Sequence, residues 1–392
     1  MSVAGVVRAS RIVVCVGSGG VGKTTVAAAL ALDAALGGRR TMVLTIDPAR
    51  RLAESLGLAD LKAGGEKIAP ERFAAAGLHP RAELSAGMLD QPSAWDGFIA
   101  RHSPTVEIRD TILANPFYLN LSRTFAGSTE YMAIEELSRI EEAGEYDLIV
   151  LDTPPSRHAL DFLEAPRRLE EFFDRSLLGW LARPASAGWT AWKSASRGAR
   201  FMFERIEDAT GVQALSEIAA FFTAIETLVD GVTARSRKVR ELLQAPTTSF
   251  VLVTGPDEQV LEDAEGLTAS MSKLGVALRG VVMNRLQDAG DIDDPGALLR
   301  GASLCEGGGD DDRGALVRLR GALDAAGVDH DVSSWMMETL EARLLQAATQ
   351  EVRREVFEAA LPEDVSVAAV GEQRRDVHDL AGLAEVARAL AL

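Results

Sequence analysis

Short apolar runs bounded by turn-forming positions recur along the chain, at Arg11–Val16, Thr41–Ile46, Asp147–Leu151, Ser249–Val253, Leu278–Met283 and Val365–Val370. They are rich in Val, Ile and Leu and too short for helices, so they read as buried strands. Most of the segments between them have helical spacing. Strands alternating with helices predict an α/β fold, a mostly parallel central sheet flanked by helices and spanning 1–392 as one domain. Ligands of such sheets sit at the carboxyl ends of the strands. Two stretches, 95–129 and 157–243, interrupt the alternation and read as an inserted α-helical subdomain. The segment 288–313 is acidic and Gly-rich, which predicts a mobile surface loop. The N-terminal residues are expected to run straight into the first strand.

Composition adds exclusions. Hydrophobic residues make up 47% and charged residues 25%, which is globular usage. A formal charge of −17 argues against a nucleic-acid partner, because phosphate backbones are bound mainly by Lys and Arg. The two cysteines, Cys15 and Cys305, cannot form a zinc-binding CxxC or a disulfide framework. No zinc and a reducing compartment are expected. No run approaches the ~20 apolar residues of a membrane span, so the chain reads as cytoplasmic.

The chemistry begins at Gly17. Residues 17–24 read GSGGVGKT and match G-x-x-x-x-G-K-[ST], between an apolar strand and an Ala/Leu-rich helix. That context is what a P-loop requires. Gly17, Ser18, Gly19, Gly20, Val21, Gly22, Lys23, Thr24 and Thr25 are the candidate nucleotide-binding residues. Backbone N–H groups and the helix N-terminus cradle the phosphates, Lys23 reaches the β/γ oxygens, and Thr24 ligates Mg²⁺. Asp47 follows the next strand beside a proline, which puts a carboxylate at the phosphate rim. Asp152 ends the apolar strand of YDLIVLDTPPSRH, a Walker-B-like position that holds a Mg²⁺-bound water. Thr24, Asp47 and Asp152 are the candidate metal residues, and Lys23 is a candidate catalytic one. His158 has no second His or Cys at ligand spacing and reads as a loop or helix-start residue.

These elements together resemble the ATPase family that contains the arsenite-pump ATPase and the factor that targets tail-anchored membrane proteins. Members carry GKGGVGKT, DPAHNLSD and DTAPTGHTLRFL, in that order. Here the segments are GSGGVGKT, DPARRLAE and DTPPSRHALDFL. The resemblance implies a Mg²⁺-dependent P-loop ATPase in which Asp47 orients the attacking water. It also implies that Asn284, after VVM, hydrogen-bonds adenine. The Asp of the guanine-reading N-K-x-D is missing after Asn284, which favours ATP. The segment from 365 onward resembles the closing strand, adenine-side loop and final helix. Two departures stand out. Ser18 replaces the lysine that reaches across a dimer to the partner's nucleotide, and Arg50–Arg51 replace His–Asn.

The resemblance leaves the coupled process open. The metalloid-binding cysteine cluster is missing, which argues against arsenite transport, and so is the zinc CxxC of the targeting factors. The segment 175–203, with Trp180, Trp189, Trp192, Phe201, Met202 and Phe203, suits either an apolar groove, with basic residues that suit anionic lipid, or a plain subdomain core with a solvated basic face. The expected function is coupling of nucleotide state to an apolar client or membrane partner, in a homodimer or in a heterodimer with a lysine-bearing paralogue. The alternative is a MinD/ParA-type positioning switch. Such switches use a basic amphipathic tail on membranes, whereas the last helical segment here carries only Arg388.

Overall fold

The computed structural model describes residues 2–47, 51–62, 64–124, 128–154, 164–167, 170–171, 212–287, 319–373 and 375–391. His158, Arg50, the Trp-rich segment 175–203 and the loop 288–313 lie outside these residues.

An eight-stranded sheet forms the centre, in the order β3-β4-β2-β5-β1-β6-β7-β8. Its strands are β1 Ile12–Val16, β2 Thr41–Thr45, β3 Glu66–Lys67, β4 Leu84–Met88, β5 Leu148–Asp152, β6 Thr248–Thr254, β7 Leu278–Leu286 and β8 Ser366–Gly371. All neighbouring pairs run parallel except β3 and β4. Every residue of β1, β2, β5 and β6 is buried. This explains why these strands appear in sequence as continuous apolar runs rather than alternating ones. Each expected strand is present, with boundaries shifted by up to three residues.

Three elements differ from expectation. Residues 3–9 do not lead directly into β1 but form a helix, α1 (Val3–Ala9), capped by the Ser2 hydroxyl, which accepts from the Gly5 N–H. Val3, Ala4, Val6 and Val7 are buried, and this burial sustains a helix whose Val and Gly content is intrinsically unfavourable. Strands β3 and β4 were not legible. LSAGM has no β-branched residue, and Gly87 lies where a Cβ would be 2.8 Å from Met42 Cε and 2.9 Å from Gly65 Cα.

The helices on one face include α2 (Lys23–Leu36) and, after the short α3 (Arg51–Ser55) and α4 (Pro70–Ala75), the C-terminal helix of Leu380–Ala391. On the other face lie α5 (Gln91–His102), α6 (Val106–Leu113), α7 (Pro116–Thr124), α8 (Ser128–Ala143), α9 (Val212–Glu226) and α10 (Val229–Gln244). Aromatic rings join α7 to α9: Phe117 and Phe221 have centroids 5.2 Å apart, and Tyr118 stacks on Phe221 at 6.3 Å. Beneath them Glu135 of α8 is buried and receives Arg235 of α10 at 2.8 Å and Arg101 of α5 at 3.4 Å. Two further helices among the described residues are α11 (Glu258–Leu274) and the 30-residue α12 (His330–Ala359). The C-terminal helix, α13, buries Leu380, Leu383, Val386 and Leu390. Its apolar face is therefore occupied by the core and not available to lie on a membrane. No helix among the described residues is long and apolar enough to cross one.

Candidate functional site

β1 leads into the loop of residues 17–22 and then α2, at the carboxyl edge of the sheet where β5 and β6 flank β1. The loop depends on two glycines. Gly17 adopts φ 147°, and a Cβ there would lie 2.0 Å from the Val253 carbonyl oxygen. Gly22 adopts φ 90°, and a Cβ would meet Asn284 Nδ2 at 2.3 Å. Gly22 is also the N-cap of α2 and supplies no side-chain cap. The first N–H groups of α2 are thus left for a ligand, and an anion at that end is favoured by the helix dipole.

Lys23, almost fully buried, donates from Nζ to the Ser18 carbonyl at 2.7 Å. Burial pulls its pKa down, and Asp152 pushes back against that shift. Thr25 follows in the first turn of α2, and Gly19 and Gly20 are exposed at the loop tip.

Asp152 organises the other wall. Its Oδ2 accepts from Thr24 Oγ1 at 2.9 Å and from Thr45 Oγ1 at 2.9 Å. Its Oδ1 is buried and has no hydrogen-bond partner among the described residues. Burial raises the carboxyl pKa to about 6, against the opposing hydrogen bonds of Thr24 and Thr45 and the charge of Lys23. A buried, underused carboxylate oxygen beside a threonine hydroxyl fits a hydrated divalent cation, which favours hard oxygen donors. Thr45 Oγ1 also accepts from the Asp47 N–H at 3.2 Å, and Arg51 Nη1 lies 3.7 Å from Asp47 Oδ2. The Asp152 carboxylate is therefore linked through Thr45 to the Asp47 backbone. Next to Asp152, Thr153 Oγ1 donates to the Cys15 carbonyl at 2.7 Å, tying β5 to β1. The Cys15 thiol is pushed far up by burial and by the neighbouring Asp152, which makes it inert.

Asn284 approaches the loop from β7. A register shift against β8 between Asn284 and Leu286, with Arg285 at φ 63°, sits at this point. The Asn284 carboxamide is buried and donates from Nδ2 to the Val21 carbonyl at 2.8 Å. The Glu372 N–H donates to the Leu286 carbonyl at 2.7 Å. An open cleft of about 1030 Å³ follows, lined by Gln373, Arg375, Val377 and His378 among others.

The structure brings Lys23, Thr24, Asp47, Asp152 and Asn284 around one loop. Two participants were missed by reading the sequence. Thr45 has a weak signal, a hydroxyl at the end of an otherwise apolar run two residues before Asp47. Asp263, whose Oδ2 accepts from Ser18 Oγ at 3.2 Å, has none, since it lies 245 residues away on α11.

Residues 10–300 match the family model described as anion-transporting ATPase. ATPase GET3 of Malassezia globosa is 26% identical over 272 residues, covering 69% of this chain and 71% of that protein. ATPase ASNA1 homolog 2 of Paramecium tetraurelia is 24% identical over 281 residues, 69% of this chain and 74% of that protein. ATPase GET3C of Arabidopsis thaliana is 27% identical over 297 residues, with coverages of 71% and 67%. With the P-loop in place and the family model spanning most of its length, the chain belongs to the anion-transporting ATPase family and is an ATP-hydrolysing P-loop enzyme.

Proposed function

We propose that this ATPase is Mg²⁺-dependent and couples its nucleotide state to the handling of an apolar client or membrane partner. One observation carries the reading. The Asp152 carboxylate is shared by Thr24, beside the phosphates, and Thr45, which in turn holds the Asp47 backbone. A change at Thr24 is thereby transmitted through two side chains to the Asp47 backbone, the kind of coupling that nucleotide switches use.

Bound Mg²⁺ would neutralise charge building on the transferred phosphoryl group, held by Thr24 and, through water, by Asp152 with Asp47 nearby. Lys23 supplies the fixed cation of the protein at the β/γ oxygens. Asp47 orients the attacking water for in-line attack, and Asn284 contacts the adenine. These residue roles work by positioning and electrostatics rather than by covalent chemistry.

For the coupled partner, the helices α5, α6, α7, α9 and α10 supply the described part of a client-handling subdomain expected over 95–129 and 157–243. The aromatic seam between α7 and α9 supports their association. Apolar side chains also stand out on α12, where Val332, Trp335 and Met336 are exposed at i, i+3 and i+4. The enzyme acts in the cytoplasm, peripheral to a membrane when its partner is there. It works as a homodimer, or as a heterodimer with a paralogue that supplies the lysine absent at Ser18.

The test uses purified chain with Mg²⁺ or EDTA, and the Asp47→Asn variant loaded with ATP or ADP. Hydrolysis should require Mg²⁺, and an apolar helical peptide or liposomes should associate in only one nucleotide state. Hydrolysis in EDTA would overturn the metal assignment. Association that ignores nucleotide would overturn the coupling.

A further inference from the structure

The hydrogen bond between Ser18 and Asp263 joins the phosphate loop to a helix that the reaction does not otherwise use. β6 ends so close to β1 that a Cβ on Gly17 would clash with the Val253 carbonyl, and α11, which follows β6, reaches the loop through Asp263. From the second turn of α11, Asp263 Oδ2 accepts from Ser18 Oγ at 3.2 Å. The same serine offers its carbonyl to Lys23 Nζ at 2.7 Å. One residue thus receives a tether through its side chain and passes it on through its backbone.

We propose that Asp263 is a positioning residue for ATP hydrolysis, holding Ser18 so that the Ser18 carbonyl fixes the Lys23 ammonium toward the β/γ-phosphates. The loop needs such a restraint. Ser18 stands between Gly17 and the pair Gly19–Gly20, and glycine neighbours restrict the backbone least. Gly19 and Gly20 are exposed, so packing does not fix the loop tip. Lys23, in contrast, is nearly buried, and its ammonium depends on protein acceptors until phosphate arrives. An ionised acceptor makes the Ser18 bond stronger than a neutral one. Its exposure keeps the effect modest.

The kinetic consequence follows from when Lys23 is needed. Charge on the phosphoryl oxygens grows toward the transition state, so a loosely held ammonium lowers kcat more than it raises KM. Loss of one such hydrogen bond corresponds to roughly a threefold to tenfold drop.

Asp263→Ala, Asp263→Asn, Ser18→Ala and the double Ser18→Ala/Asp263→Ala separate this role from a structural one. Each is measured for kcat and KM of MgATP hydrolysis, with a thermal melt alongside. Asp263→Ala and Ser18→Ala should each lower kcat about threefold to tenfold, with KM within about twofold and an unchanged melting temperature. Asp263→Asn should recover most of the rate, because its amide oxygen still accepts from Ser18 Oγ. The double variant should be no slower than either single one. Wild-type kcat in Ser18→Ala, additive losses in the double variant, a loss confined to KM, or failure of asparagine to rescue would each overturn the proposal. Should Asp263→Ala not fold, Ser18→Ala breaks the same bond from the loop side and decides alone.

Discussion

Asp152→Asn should destroy turnover and yet stabilise the metal-free protein. Asp152 is completely buried, and its carboxyl pKa is raised to about 6 from an ordinary 3.8, chiefly by burial. Between those values the folded chain holds a proton that the unfolded chain has released. This contribution to stability is full below the ordinary value and is lost as pH rises through about 6. Two pKa units correspond to about 3 kcal/mol of destabilisation once the group is ionised. Asparagine removes the charge and keeps an oxygen for the Thr24 and Thr45 hydroxyls. Its NH₂ group takes the place of Oδ1, which has no partner among the described residues. An unsatisfied amide gives back part of the gain, leaving a net stabilisation of about 1–2 kcal/mol. For a chain of this size that is roughly 1–4 °C in melting temperature. The assay is a pair of thermal melts in EDTA, at about pH 8 and about pH 5.5, the lower value staying above the pI of about 4.9 where the chain would precipitate. The variant should lead at the higher pH, and the difference should shrink at the lower. With MgATP present the order should reverse, because only the carboxylate supports the cation. A variant less stable at about pH 8, or a gap indifferent to pH, would refute the reasoning.

Other substitutions test neighbouring parts. Lys23→Ala should abolish tight ATP binding or turnover, which nucleotide titration and phosphate release report; wild-type rates would remove the P-loop assignment. Asp47→Asn should lower kcat at least about a hundredfold while ATP affinity stays within a few-fold, the pattern of a group needed in the transition state. Asn284→Ala removes the bond to the Val21 carbonyl, and should weaken ATP relative to GTP in competition binding. Glu135→Leu should cost about 3–5 kcal/mol in denaturant melts, because it leaves the Arg235 guanidinium, 11% exposed, without one of its carboxylate partners. A loss under about 1 kcal/mol would mean that the Glu142 contact suffices.

The sequence by itself determined whatever is local. A P-loop is a run of eight residues whose glycines, lysine and threonine act within one turn, so Gly17–Thr24 was legible without any partner. The runs ending at Val16 and Leu151 were equally legible, since strands buried on both faces must be apolar throughout. Asp47 and Asp152 could be singled out because polar residues ending such runs fall at the carboxyl edge of a parallel sheet. Tertiary structure decided the rest. It set the strand order, made α1 helical by burying its valines, and formed β3 and β4 from weak strand sequences by pressing Gly65 against Gly87. It also gave Asp152 both Thr24 and Thr45, and set Asp263 against Ser18 across 245 residues. Such contacts leave no periodic trace, because a single hydrogen bond between distant segments asks only for one donor and one acceptor at the point where the folded sheet brings the two together.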